Sequence, residues 1–430
     1  MDNVDKTNKK PWRQSMKRKN INRTLTVDFH DERTYKALCN DGKTFLEFVI
    51  AFILSLGFHL KHKSCCPGGT CLTRHSHYQR IRLNNVTIWR VQCKHCKAVF
   101  TVLPHFVLRY SSLKPEKAKQ ALLATYGGLS LELCAIVCNV SPMSIYRVLS
   151  SFGKAKLVQL LVRCGLPLPQ YFQGDEKHSH CLGEKVYLPT IVEGRVIWHL
   201  GYTTDKSAQS FQESYGEFKD AALEVEPEYE PKGILTDSFE STIKSLGILF
   251  PKARIGNCLL HATRSVGQKL KSVTSSVRRS LKSDFYNLFK ERNEPKPMKL
   301  FRLGQKLRRF AEKITKTTGK DNGTRIKEWI HRKKQGWFVL FNDSNMPAMS
   351  TCLDQAHNAI DRKLFMMKGF HHEKGNQKYF INGIALLYNV IPYQRRAKNK
   401  GKCGIEVQGG NLPTRDWFLN LQILTSGAFV

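Results

Sequence analysis

The sequence predicts an α/β fold: a mixed sheet with an all-helical insertion, preceded by a zinc ribbon and a helix-turn-helix. Three observations predict it. Between 170 and 262, three β-rich runs, "GDEKHSH", "KVYLPTIVEG" and "RVIWHLGYTT", follow one another tightly. Helical spacing then alternates with two short strands, "KGILTD" and "ARIGNC". Upstream, two cysteine pairs flank a β-rich insert, and behind them two short apolar helices are separated by a turn.

Composition bounds the partners. The chain has 430 residues and 41% hydrophobic content, material for about two to four packed domains. Lys and Arg number 69 against 35 Asp and Glu, a net charge of +34. That excess points to a polyanion, and double-stranded DNA is the expected partner, because cations that displace condensed counterions drive its binding. The most apolar stretch, "FLEFVIAFILSLGF", is broken by a glutamate and falls short of the ~18 residues a membrane span needs. The N-terminus has no apolar core of a secretory signal, so a cytoplasmic, nucleoid-associated location is expected.

Residues 1–40 are polar, basic and aperiodic and read as a disordered arm. In 41–110, "SCCPGGTC" and "CKHC" offer Cys66, Cys71, Cys93 and Cys96 as ligands of a structural Zn²⁺. Two close pairs about twenty residues apart, each on a turn, suit a tetrahedral thiolate site. "CKHC" is the stronger half; Cys65 competes with Cys66, and His75, His77 or His95 would serve as a fourth ligand. Of the thirteen cysteines, Cys134, Cys138 and Cys164 lie in apolar helical runs and read as core.

In 111–165, Leu131, Ala135, Ile136 and Val140 space as one helix. Ser141 and Pro142 cap and open a second helix carrying Ile145, Val148 and Leu149. A helix-turn-helix follows, with Ser144, Tyr146 and Arg147 expected on its outer face to enter a major groove.

The strand order of 170–262, completed by helix in 346–395, is that of an RNase H-like core. Residues 263–345 are helical in spacing and strongly basic, an insertion expected to lie along DNA. The tail, 396–430, carries no assignable pattern.

Asp175 opens the first strand of this core and Asp237 ends the fourth, strands that such a sheet places side by side. Asp354, on the first turns of the closing helix, is the expected third acid. Three carboxylates on so basic a chain suit two hard cations, Mg²⁺ or Mn²⁺, of the kind that clamp attacking and leaving oxygens in phosphoryl transfer. Each acid also has a plainer reading: Asp237 or Ser238 as a helix cap, Asp354 as a complement to a helix dipole. Glu176 points to the opposite face of its strand and is not expected to join them. Cys258 and His261 would either bind metal or brace a strand–helix junction.

A strand Asp at 175, a second at 237, "FPKARIGNCLLH" with Cys258 and His261, a basic helical stretch and "STCLD" ending on Asp354 stand in a fixed order. In that order, over 172–393, the chain resembles the catalytic domain of DDE-type transposases of bacterial insertion sequences, in the Mutator-like layout. It departs at the last acid, Asp in place of Glu, which leaves Asp361 and Glu373 as alternatives. The resemblance implies a transposase that cleaves and joins DNA strands between two metal ions, without a covalent intermediate. It also implies terminal inverted repeats and target DNA as substrates and a homodimer or larger assembly. The alternative is an inactive or domesticated transposase that binds DNA without cutting it.

Overall fold

A computed structural model of the protein describes residues 23–61, 71–83, 85–109, 111–293, 300–367, 369–370, 376–394 and 398–429. Two sheets organise them. The first contains β1 (Thr24–Val27), β2 (Leu72–Arg80), β3 (Val86–Cys93) and β4 (Val99–Pro104), in the order β1-β4-β3-β2. β1 and β4 are parallel; the other two pairs are antiparallel. Helices α1 (Glu32–Asn40) and α2 (Gly42–Leu56) lie between β1 and β2 in sequence, each opened by an aspartate. Asp31 accepts from the Thr34 amide and Asp41 from the Lys43 amide, satisfying donors that a first turn leaves bare.

The arm expected over 1–40 therefore becomes ordered structure by Thr24. Leu25, Val27, Phe29 and Tyr35 are fully buried, with Phe29 and Tyr35 in edge contact at 4.8 Å. β1 has no neighbour close in sequence and pairs instead with β4, residue 24 with residue 101. The chain's other end completes the same core. Ile423 and Phe429 are buried in it, and the Ser426 hydroxyl accepts from the Thr26 amide at 3.0 Å.

Four helices follow, α3 (Pro115–Tyr126), α4 (Leu131–Cys138), α5 (Pro142–Phe152) and α6 (Leu157–Arg163). Ser130 caps α4, Asn139 ends it in the left-handed region at φ 50°, and Ser141 caps α5 ahead of Pro142. The α4 and α5 axes meet at 108°. No single helix among the described residues is long and apolar enough to cross a membrane.

The second sheet holds β5 (Tyr171–Cys181), β6 (Glu184–Glu193), β7 (Val196–Leu200), β8 (Gly233–Thr236) and β9 (Arg254–Asn257), in the order β7-β6-β5-β8-β9. β5, β6 and β7 form an antiparallel meander, while β5–β8 and β8–β9 are parallel. The β5–β6 hairpin turns on Leu182 and Gly183, at φ 53° and 89°, the sign a two-residue hairpin loop demands. Parallel pairing requires crossovers, supplied by α7 (Ala208–Leu223) before β8 and α8 (Glu240–Leu249) before β9. The protein is thus α/β with mixed strand directions.

Helices α9 (Leu259–Lys269), α10 (Ser275–Asn287), α11 (Leu300–Thr318) and α12 (Lys320–Asn342) form a bundle with its own aromatic core. Phe285 lies 5.6 Å from Trp337 and 5.7 Å from Trp329, ring to ring. Buried Arg292 ties off the bundle, donating to the carbonyls of Leu340 at 2.6 Å and Asp343 at 3.1 Å. The chain returns to the sheet through α13 (Thr351–Met366) and α14 (Gln377–Val390), and ends in α15 (Gly404–Val407) and α16 (Trp417–Leu424). α14 is apolar on nearly every side because it is sandwiched between β7 and α5. Gly383 permits that approach: a Cβ there would stand 2.6 Å from the Leu149 carbonyl oxygen.

Candidate metal centre

The β5–β8 pairing ends at Gln173 opposite Leu235, and β8 itself ends at Thr236. β5 runs on, carrying Asp175 and Glu176 past that point, while Asp237 is the first residue beyond β8. The three carboxylates converge there, each offering one oxygen within 4.8 Å of the others. Such a place, outside the carboxyl ends of parallel strands, is where open α/β sheets hold ligands.

Each acid is fixed by its own neighbours. Oδ1 of Asp175 accepts from the Glu176 amide at 2.8 Å, and the Tyr215 hydroxyl donates to the Asp175 carbonyl at 2.9 Å. Oε2 of Glu176 accepts from Thr242 Oγ1 of α8 at 2.8 Å. Oδ1 of Asp237 accepts from the Phe239 amide at 2.7 Å across Ser238, which stands at φ 86°. Neither Asp237 nor Ser238 caps α8; the cap position is Phe239, which makes no side-chain cap bond.

Glu176 is the correction to the sequence reading. Strand alternation sends it to the face opposite Asp175, yet it belongs to the cluster and Asp354 does not. Beyond Gln173 the strand has lost its β8 neighbour, so side chains from both faces border the open corner. Glu176 is also long enough to be drawn across by Thr242.

Crowding sets the electrostatics. Burial, followed by the charges of Asp237 and Glu176, pushes the Asp175 carboxyl well above its ordinary value. Burial, followed by Asp237, pushes Glu176 up to about 7. Ionising all three together is costly without a cation. The donors are all hard carboxylate oxygens, the set that suits Mg²⁺ or Mn²⁺ and not a thiophilic metal.

Asp354 stands beside the cluster. Its carboxylate lies 3.8 Å from Arg264 of α9. The preceding residue, Leu353, donates its amide to Gln173 Oε1 at 3.1 Å, docking the first turn of α13 on β5 two positions before Asp175. Of the alternatives, Asp361 pairs with Lys177 at 2.7 Å, and Glu373 lies outside the described residues.

Cys258 and His261 brace the α9–α13 junction. The Ser350 amide donates to Cys258 Sγ at 3.3 Å, and Ser350 Oγ lies 3.3 Å from His261 Nδ1. Burial raises the Cys258 thiol, but hydrogen bonds from His261 and Ser350 outweigh it and leave the thiol below its ordinary value. His261 is raised by its bond to Cys258 against burial, and the charges of Asp237 and Asp354 add to that.

At the cysteine pairs, Cys71 and Cys93 bring their sulfurs within 3.4 Å, and Cys96 lies half-buried on the turn that follows. Cys71 stands in a disulfide, a state that competes with zinc at that sulfur. Cys66 and Cys65 lie outside the described residues. His77 is engaged elsewhere, 4.6 Å from the Trp89 ring.

On α5, Arg147 is exposed and Ser144 Oγ lies 2.8 Å from Ser141 Oγ. Tyr146 does not face outward as expected. Its ring stacks on Phe380 of α14 at 5.0 Å and 16°, because α14 covers that side of the helix.

Compared with known proteins, the chain matches no family model and no curated sequence.

Proposed function

We propose that the chain is a DDE-type polynucleotidyl transferase, a transposase that cleaves and joins DNA strands at the ends of a mobile element. The observation that carries this reading is the convergence of Asp175, Glu176 and Asp237 within 4.8 Å. The sheet supports it: its five strands stand in the spatial order third-second-first-fourth-fifth, with only the second antiparallel to its neighbours, the order of an RNase H-like core. The net charge of +34 supplies the attraction for DNA.

Asp175, Glu176 and Asp237 are the residues that would hold Mg²⁺ or Mn²⁺, whose chemistry is to activate a water or a 3′-hydroxyl and absorb charge on the phosphate. Tyr215 and Thr242 hold Asp175 and Glu176 through neutral donors, which leaves the negative charge of the site available. Asp354 sits one residue beyond the bond that docks α13 on β5, so closing that helix on the site is the step that would bring it to a ligand position. The β-rich cysteine segment, read as a zinc ribbon, and the α4–α5 pair, read as a helix-turn-helix for its 108° bend, would bind the terminal repeats.

Asp354 also supports a second reading. Paired with Arg264 and outside the cluster, it suits an inactive or domesticated transposase that binds DNA only. Incubating the protein with a duplex carrying the inverted repeats that flank its gene separates the two. Mn²⁺-dependent nicking and joining is expected; binding without cleavage in Mg²⁺ and Mn²⁺ alike would establish the second reading.

A further inference from the structure

A trough runs along α5 and past its C-terminal end, and the described residues that line it are all cationic or neutral. Its larger part, about 600 Å³, lies between α5 and the end of β2 and receives Arg80, Arg109, Arg147 and Lys154. An adjoining concavity of about 290 Å³ shares Ser112 and Ser144 with it and adds Lys114 and Lys117. Among the described residues no carboxylate lines either part. Elsewhere the surface mixes signs: one concavity carries Glu217, Asp220 and Glu224 among its lining, and another carries Asp361.

The first sheet and α5 build this trough jointly. Arg80, the last residue of β2, donates to the carbonyls of Leu108 at 2.7 Å and Ser111 at 3.2 Å, which fixes both its own guanidinium and the segment that leads into α3. From the opposite wall come Arg147 and Lys154, one on α5 and one just past its end. Six cations strung along two adjoining hollows do not converge as a site for one small anion would. They match a repeating anion. Among the described residues no aromatic side chain lines either hollow, and single-stranded nucleic acid is usually held by stacking on aromatic rings.

We infer that the trough holds the phosphodiester backbone of duplex DNA, so that the first sheet and α5 grip one stretch of a strand together. Arg147 and Ser144 then contact phosphate and not base edges, consistent with Tyr146 being turned inward onto Phe380. This rests on the reading of the chain as a DNA transferase, but it is testable without catalysis.

The test is fluorescence anisotropy without added Mg²⁺ or Mn²⁺, with a labelled mixed-sequence duplex of about 30 base pairs, titrated at salt between roughly 50 and 200 mM. Each phosphate contact contributes about 0.9 to the slope of log affinity against log salt, so Arg147→Ala/Lys154→Ala should flatten it by about 1.8. Arg147→Lys/Lys154→Arg, which keeps both charges, should restore the slope, and Lys206→Ala, which lines neither hollow, should leave it alone. An unchanged slope in the double alanine variant overturns the inference. So does competition by inorganic phosphate as effective as by duplex at equal phosphate, or preferential binding of single-stranded DNA or RNA. Because the binding assay omits Mg²⁺ and Mn²⁺, a protein that shows these slopes but fails to cut in the Mn²⁺ assay would sink the catalytic reading and leave this one standing.

Discussion

The ammonium of Lys333, on α12, donates a 3.0 Å hydrogen bond to the carbonyl of Ser238, the residue that follows Asp237. Ser238 holds φ 86°, a backbone region that a residue with a Cβ rarely adopts. Three bonds hold it there: this one, the Asp237 bond to the Phe239 amide, and a 3.4 Å bond from its own amide to Thr236 Oγ1. The helical bundle thereby reaches into the carboxylate cluster and supports the turn that aims Asp237.

Removing that support should loosen the site without touching a carboxylate. Lys333→Met is expected to weaken Mn²⁺ binding by about tenfold, or ~1.4 kcal/mol, with Lys333→Arg intermediate. Isothermal titration with Mn²⁺ reads the effect directly. Equal affinities in wild type and Lys333→Met would show that the turn holds its shape unaided.

The cluster assigns unequal roles to Glu176 and Asp354. Glu176→Gln removes one of two buried carboxylates crowded against half-buried Asp237, so the metal-free protein should melt higher than wild type while gaining less from Mn²⁺. Asp354→Asn breaks only a 3.8 Å pair with half-exposed Arg264 and should leave the Mn²⁺-induced rise close to wild type. Melting curves with and without Mn²⁺ check both. A full loss of metal response in Asp354→Asn would move the third ligand back to α13.

Proton and metal compete for the same oxygens, which fixes the direction of the pH dependence. Glu176 titrates near 4.5 when exposed and near 7 in the fold, so between those values the folded chain retains a proton that the unfolded chain has released. Its contribution to the stability of the metal-free protein therefore falls as pH rises through that window and stays reduced above it. Buried His199 and His357, held down to about 3 by desolvation, act in the opposite sense up to the ordinary histidine range. The clean reading is the metal-induced difference at each pH. The Mn²⁺-induced rise in melting temperature should be larger at about pH 8 than at about pH 5.5, and the reverse order would contradict a carboxylate site.

Much of the second sheet was legible because its strands are buried runs bounded by turns, "KVYLPTIV" between Gly183 and Gly194 being the plainest. Asp175 and Asp237 were legible as acids on strands that the order makes neighbours, although Asp175 does not open its strand as expected: β5 begins at Tyr171 and carries it in its interior, while Asp237 follows the end of β8. Glu176 was not, since alternation sends it to the face opposite Asp175, and only the corner left open where β8 no longer flanks β5 lets its longer side chain join the cluster. Lys333 had no signal, one lysine among many in a basic helix. The termini were unreadable for a different reason: the Thr26–Ser426 bond joins residues 400 positions apart, and no local pattern encodes such a pairing.

The α5–α14 crossing makes the last prediction, one that separates close packing from helix propensity. Gly383 lies inside α14, where alanine would ordinarily be preferred by ~1 kcal/mol. Its absent Cβ would stand 2.6 Å from the Leu149 carbonyl oxygen and 2.7 Å from the Leu149 Cδ1, so the two helices would have to move apart. Asn382 would be carried with them, and it donates to the carbonyls of Gly153 at 2.7 Å and Ala155 at 3.1 Å. Gly383→Ala should therefore lose about 1–3 kcal/mol of stability. Gly216 of α7 provides the contrast, because a Cβ there meets only Leu249 Cδ2 at 3.9 Å, an ordinary contact. Gly216→Ala should gain about 0.5–1 kcal/mol. Urea unfolding of the two variants beside wild type reads both signs, and a stabilising Gly383→Ala would mean that α14 does not approach α5 this closely.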